Sequence, residues 1–484
     1  MEEVDIALIK KRSIRGVFAL TSRTFFVQVV GLASNLLLTI FLSPSIFGVF
    51  FVVSAAIAFL SYFSDIGLAA ALIQKKEPVT EDDLRTTFTI QQILVVAICA
   101  IALISSGPIA SFYNLDNEGL WLLRALIAAF FLSSFKTIPS IILERGLKFE
   151  KLVIPQIVET LFFNVTAVIL AMSGFGILSF TIAVLLRGIS GLIAIYVISP
   201  WRIGFAFSKP AAKRLLSFGI PFQANSFLAL LKDDLLIIYI GKVLPLSQVG
   251  YIGFAQKWAL MPLRLVMDNI IRITFPSFSR LQHEKETLGR GIEKSIFASC
   301  FLVFPSLVGL VVLSPYFINL IPRYAKWEPA LFSLAFFSIN AALSSISTPL
   351  TNALNAVGKI KITLYIMIFW TIATWILTPL AIFQFGFNGV SIASAVIATS
   401  VVGVIYIVKR HINFSVARIT GFPALGALSM GMVVYILSPH IVRNLPTLIF
   451  MIILGIVIYF LTMLVLAKRQ IIEDLKMVRA NLQK

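Results

Sequence analysis

Apolar runs of membrane-spanning length, separated by short polar gaps, take up nearly the whole chain. Roughly fourteen can be traced, at 17–41, 45–73, 88–107, 120–143, 152–172, 176–199, 217–240, 247–270, 295–320, 328–351, 362–384, 387–408, 421–438 and 446–467. A helix needs about 20 apolar residues to cross a ~30 Å hydrocarbon core. Fourteen such helices and their loops leave no room for a soluble domain, so the predicted fold is an all-α polytopic membrane protein.

The gaps alternate in charge. About 29 of the 40 Lys+Arg fall in the N-terminal stretch, the even-numbered loops and the C-terminal stretch. The odd-numbered loops hold about 4, namely Lys242, Arg323, Lys326 and Arg443. Basic residues resist translocation, so both termini are expected in the cytoplasm. Residues 1–16 then form a short cytoplasmic lead rather than a cleaved signal, and 468–484 a cytoplasmic tail. Composition agrees, with 59% hydrophobic and 13% charged residues. The net charge of +18 is spread over many short segments, where it serves topology and anionic lipid headgroups rather than nucleic acid. Cys99 and Cys300 stand in separate apolar runs and are not expected to pair.

Catalytic signatures are missing. The sequence has no P-loop, no GxSxG and no metal-spaced His or Cys cluster. His283, His411 and His440 are far apart, and the longest polar stretch, 271–294, is too short for a catalytic domain. No enzyme activity, cofactor or metal is expected.

The chain also reads as a duplication, with an offset drifting from about 202 to 212. Residues 42–48 (LSPSIFG) correspond to 244–250 (LPLSQVG), with Ser45 and Ser247 expected as N-caps. Residues 144–148 (ERGLK) correspond to 355–359 (NAVGK), and 174–176 (GFG) to 386–389 (GFNG). Six spans per copy is an even number, so the copies are parallel repeats, which in transporters enclose the substrate. This predicts a lobe over 17–199, a cytoplasmic linker over 200–216, a second lobe over 217–408, and two extra helices over 409–467.

Several motifs resemble a known family. Ser64-Asp65-Ile66-Gly67 runs into AALIQ at 70–74 and then TEDDL at 80–84. Residues 142–149 (ILERGLKF), Phe218 to Phe222 (FGIPF) and 275–281 (FPSFSRL) add to the likeness. Together they are similar to Wzx-like polysaccharide flippases of the MOP superfamily, which also holds the MATE drug exporters and lipid II flippases. That resemblance implies two six-helix lobes around a central cavity, alternating access, and an undecaprenyl-pyrophosphate-linked oligosaccharide as cargo. It also implies membrane lipids and a polysaccharide polymerase complex as partners. A MATE-type cation-coupled exporter is the alternative reading.

Charges inside spans cost about 2.5–3.5 kcal/mol or more and so should face a wet cavity or a partner. Arg23, Lys136, Arg187, Lys232, Lys257 and Arg264 are therefore candidates for contact with an anionic cargo. Asp65, Asp233, Asp234 and Asp268 are candidates for ion coupling. Each has a plainer reading beside it: Asp65 can cap a helix break, and Arg264 and Asp268, at i,i+4, can neutralise each other. Arg124, near the outer end of its span, is expected to snorkel. Trp121, Trp201 and Trp327 flank spans and are expected to be interfacial anchors.

Overall fold

The computed structural model describes residues 6–75 and 77–467, so the first five residues of the lead and the tail at 468–484 lie outside it. Among the described residues the regular structure is entirely helical. The helices are α1 (Ile6–Phe41), α2 (Pro44–Ser61), α3 (Leu68–Gln74), α4 (Glu81–Ile104), α5 (Ser106–Phe112) and α6 (Asn117–Ser134). Next come α7 (Thr137–Arg145), α8 (Phe149–Met172), α9 (Leu178–Ile198), α10 (Lys209–Val243), α11 (Leu246–Arg280) and α12 (Lys285–Leu320). The chain closes with α13 (Ala330–Ala356), α14 (Ile360–Phe385), α15 (Asn388–Ala398), α16 (Val401–Lys409), α17 (Ala417–Ile441) and α18 (Leu445–Leu466).

Eleven stretches of described helix are long and apolar enough to cross a membrane, and twelve if α6 and α7, bent by 42°, make one span. The expected count of fourteen is not reached, and the reason lies in α10 and α11. Each is 35 residues long, ample for a crossing. Gln223, Lys232, Asp233 and Asp234 in one, and Gln248, Gln256 and Lys257 in the other, keep both below the apolarity of the rest. The two helices carrying the heaviest polar load are the ones hydropathy undervalues.

Among the expected spans that are interrupted, two break at turns that polar side chains hold. The run 45–73 stops at Ser61 and resumes at Leu68 through a turn with φ of 48° at Ile66 and 74° at Gly67. The Asp65 carboxylate accepts the Ala69 N–H at 3.1 Å, capping α3 after the turn. The run 120–143 breaks at residues 135–136. There Gln91 and Gln92 of α4 donate to Thr137 Oγ1 and Ser134 Oγ, both at 2.8 Å.

The duplication survives at the level of hydrogen bonds. After α7, Lys148 N–H reaches Leu143 O at 2.9 Å and Leu147 N–H reaches Glu144 O at 3.0 Å. After α13, Lys359 N–H reaches Leu354 O at 2.8 Å and Gly358 N–H reaches Asn355 O at 3.1 Å. Both are Schellman turns, closed by a left-handed residue: Leu147 at φ 51° and Gly358 at φ 77°. The glycines at 174 and 386 also share positive φ, 84° and 60°. The N-cap expectation is corrected: α2 begins at Pro44 behind Ser43, and α11 at Leu246, so Ser45 and Ser247 lie inside their helices. Proline at the first helical position sets φ for the helix and moves the start of α2 upstream.

The first turns of α2 and α11 meet reciprocally. A Cβ on Gly48 would lie 1.7 Å from Leu246 O, and one on Gly250 would lie 1.9 Å from Pro44 O. Residue i touching j′ while i′ touches j is what a two-fold relation between the segments produces.

By contacts the chain divides into two compact units, Met1–Gly250 and Tyr251–Lys484. In the first, α8 packs along α9 and α1, α6 along α9, and α10 against α2 and α3. In the second, α12 packs along α17 and α13, α14 and α13 against α15, and α17 along α18. Cys99 and Cys300 are buried and free. Trp121 is exposed, but Trp201 and Trp327 are core residues, 9% and 0% exposed, not interfacial anchors. Aromatic partners explain the burial: Trp327 stacks on Phe254 at 4.4 Å, and Trp201 meets Phe88 edge-on at 5.1 Å.

Candidate translocation site

The expected site residues fall into separate groups, and in the first unit one group is an assembled ion cluster. The bend between α6 and α7 places Lys136 at the break, from where its Nζ reaches Glu159 Oε1 of α8 at 2.6 Å. Arg187 of α9 approaches the other oxygen of the same carboxylate at 3.6 Å. Its guanidinium also lies 5.9 Å from the centre of the Phe163 ring. Gly191 makes room: a Cβ there would stand 2.1 Å from Glu159 Oε1. Lys136 and Glu159 are largely buried, at 19% and 14% side-chain exposure, whereas Arg187 is 57% exposed. Two cations share one carboxylate, so the cluster retains net positive charge and turns its arginine outward.

Glu159 escaped the sequence reading. It stands as deep in 152–172 as Lys136 does in 120–143, and an acid so placed calls for a cationic partner.

The other first-unit candidates are dispersed. Arg23 of α1 is half-buried, and its Nε has no hydrogen-bond partner among the described residues. On α10, Lys232 and Asp233 are 3.4 Å apart, with the Asp233 side chain 67% exposed and Asp234 half-buried. Asp65 is engaged as the α3 cap. Arg124 donates to Ser106 Oγ at 3.3 Å and lies over Trp121 in the first half of α6.

In the second unit Lys257, Arg264, Asp268 and Arg272 are all exposed on α11. Spacings of seven, four and four residues put them on one helix face. No ion pair joins Arg264 to Asp268 among the described residues, so the neutralising arrangement is absent. The same unit holds an apolar cavity of about 530 Å³, lined by Trp258, Phe301, Pro305, Leu313, Met451 and Tyr459 among others. The Tyr459 hydroxyl donates to Phe301 O at 2.8 Å.

Two of the quoted motifs have structural work of their own. Asp83 is fully buried and joined to Lys75 Nζ at 2.5 Å and Arg214 Nη2 at 2.6 Å, while closing a capping box with Thr80. Arg145 donates to the carbonyls of Leu72, Ile73, Lys75 and Glu77, which closes the C-terminal end of α3. Among the described residues no group of His, Cys, Asp or Glu is placed to hold a metal.

Residues 37–332 match the family model for polysaccharide biosynthesis proteins. The chain is 23% identical to the succinoglycan biosynthesis transport protein ExoT of Rhizobium meliloti (strain 1021), over 91% of this chain and 90% of that one. Its fold matches the lipid II flippase MurJ in an inward closed conformation with a TM-score of 0.77, at 16% identity, covering 93% of this chain and 99% of that one. An inward-facing multidrug MATE transporter of the MOP superfamily matches with a TM-score of 0.60, at 16% identity, over 82% of this chain and 98% of that one.

Proposed function

This chain belongs to the polysaccharide biosynthesis protein family, and from that premise we propose that it flips an undecaprenyl-pyrophosphate-linked oligosaccharide across the bacterial inner membrane. The cargo feeds exopolysaccharide, capsule or O-antigen assembly, and transport runs by ion-coupled alternating access. One observation carries the reading at the level of chemistry: the Lys136–Glu159–Arg187 cluster holds excess positive charge within membrane helices and leaves Arg187 half-exposed. A cationic drug has no use for that. A pyrophosphate or an acidic sugar does, because a guanidinium offers two parallel donors to an anion. The apolar cavity beside α18 suits the isoprenoid tail. A polymerase complex is the expected partner, and the charge rule places both termini in the cytoplasm.

In this mechanism Arg23, Lys136, Arg187, Lys232, Lys257 and Arg264 attract and orient the anionic headgroup. One of Asp65, Asp233, Asp234 and Asp268 takes up the driving ion. Asp233 and Asp234 suit that role better than Asp65, whose carboxylate is committed to the α3 cap.

Deleting the gene tests the proposal directly. Undecaprenyl-linked repeat units should accumulate on the cytoplasmic face. Arg187→Ala, Arg23→Ala and Lys232→Ala variants should insert normally yet fail to restore export. Absence of stranded intermediates, with altered sensitivity to cationic drugs, would transfer the protein to the exporter class. If Asp233→Asn and Asp234→Asn both leave flux and its pH dependence unchanged, neither aspartate carries the ion.

A further inference from the structure

The linker between α9 and α10 has the wrong surface for an aqueous loop. It reads Trp201-Arg-Ile-Gly-Phe-Ala-Phe-Ser-Lys209 and is non-helical up to the start of α10. Ile203, Phe205 and Phe207 are 49%, 69% and 63% exposed, and they alternate with the less exposed Gly204, Ala206 and Ser208. Connecting segments are ordinarily polar. Three outward apolar side chains in nine residues need a cover.

The depth of the linker is fixed by α4. Thr89 exchanges hydrogen bonds with Ala206, accepting its N–H at 3.1 Å and donating to its carbonyl at 2.9 Å. Thr86 Oγ1 accepts the Ser208 N–H at 3.0 Å. Phe205 and Trp201 both pack on Phe88, at 5.5 and 5.1 Å between ring centroids. The linker therefore lies beside residues 86–89, about 8–12 Å along α4 from its first residue. Counting about 20 residues back from the end of α4 puts the hydrocarbon boundary at the same level. The backbone agrees: among the described residues, that of 201–205 makes no hydrogen bond, and unsatisfied amides are not tolerated in hydrocarbon. The linker sits at the boundary itself, where headgroups and water can satisfy it.

Charge identifies the cover. Between Pro200 and Leu216 there are four bases, Arg202, Lys209, Lys213 and Arg214, and no acid. Arg214 is committed to Asp83, while Arg202, Lys209 and Lys213 are exposed. We propose that residues 202–213 form a lipid-docking segment, which seats Ile203, Phe205 and Phe207 among acyl chains and binds anionic phospholipid headgroups through Arg202, Lys209 and Lys213. The segment leads into α10, so docking anchors the helix that carries Lys232, Asp233 and Asp234 to one leaflet. Nothing in this depends on the identity of the cargo.

The test uses the full chain with Cys99→Ala and Cys300→Ser, reconstituted in vesicles of phosphatidylcholine and phosphatidylglycerol. A fluorophore is placed at Phe207→Cys and, as an independent position, at Ile203→Cys; His283→Cys in an exposed polar turn is the aqueous control. Docking predicts that shallow spin-labelled lipid quenches positions 203 and 207 several-fold more than it quenches 283, while aqueous iodide does the reverse. It also predicts that spin-labelled phosphatidylglycerol quenches more than spin-labelled phosphatidylcholine. High salt, or Arg202→Gln with Lys209→Gln and Lys213→Gln, should remove that preference. Iodide quenching of 203 and 207 equal to that of 283 would put the segment in water and overturn the docking; protection from iodide without quenching by shallow spin-labelled lipid would put it under protein and overturn it as well. Quenching indifferent to headgroup charge would overturn the anionic recognition.

Discussion

The two copies of the repeat share their backbone solutions and differ in what they do with charge. In the first copy Asp83, near the start of α4, has no exposed side-chain surface and ties Lys75 and Arg214 together. In the second, Glu286 near the start of α12 is 87% exposed and pairs with Arg290 one turn on. Arg145 of the first Schellman turn holds four carbonyls; Ala356 at the matching place in the second is plain core. The same contrast runs through the site. Lys136 and Arg187 share a carboxylate, whereas Lys257, Arg264 and Asp268 line one exposed face of α11. Duplication retains what the backbone requires, and side chains are then free to diverge. The first copy has built its charges into a scaffold, and the second has left them on a surface.

The largest effect should come where α2 meets the first turn of α11. Gly48→Leu places a side chain into the Leu246 carbonyl, and Gly250→Leu into the Pro44 carbonyl, neither of which can move without its helix. Either substitution alone should abolish the monodisperse folded protein in detergent size-exclusion chromatography. A normal profile for one and loss for the other would show that the contact is not reciprocal.

Next in size is the contrast between Asp83 and Glu286. Asp83→Asn leaves the largely buried Lys75 ammonium without its counter-charge, a class of change that costs about 3–5 kcal/mol. Glu286→Gln, at an exposed pair, should stay within about 0.5 kcal/mol. Unfolding by titration with denaturing detergent separates these outcomes. Equal sensitivity in the two variants would mean that the buried network adds nothing to the first copy.

The degree to which the sequence foretold this follows the same division. Apolar length and turn glycines are local signals, so most spans, the duplication and the turns at 174 and 386 were readable. The breaks at 62–67 and 135–136 were not, because Ile66 in a left-handed conformation and a bend held by Gln91 and Gln92 depend on residues distant in sequence. Lys136 and Arg187 were recognisable as costly charges. Their common partner Glu159 lies 23 and 28 positions away on another helix, and only packing reveals that the three meet. Likewise, Trp201 and Trp327 carry the signature of interfacial anchors at span ends, and tertiary burial overrides it.

A smaller effect distinguishes the two Schellman turns. Gly358 has open space around its absent side chain, so Gly358→Ala introduces no clash, only a left-handed conformation at φ 77°. It should cost about 1–2 kcal/mol, a cost the first copy already bears at Leu147. A neutral result would mean that this turn relaxes when its glycine is removed.

The smallest effect concerns the loops at the opposite end of each copy from those turns. The first, at 113–116, turns through Asn114 at φ 52° and has Asp116, whose carboxylate accepts the Gly119 N–H at 2.7 Å to cap α6. The second turns through Arg323 at φ 65° and carries Lys326 instead. Burial and, secondarily, the neighbouring Arg323 charge pull the Lys326 ammonium down to about 8. At pH 8 about half of it is then neutral and nucleophilic, against well under ~1% of an ordinary lysine titrating near 10.4. Under the proposed topology, with both termini in the cytoplasm, this loop faces outward. A membrane-impermeant amine-reactive ester, applied to intact cells at pH 8, should therefore modify Lys326 ahead of other lysines. Arg323→Gln removes a like charge, favours the ammonium, raises the pKa and should slow the labelling. Modification only after lysis would invert the topology, and an unchanged rate in the variant would leave burial as the sole cause of the shift.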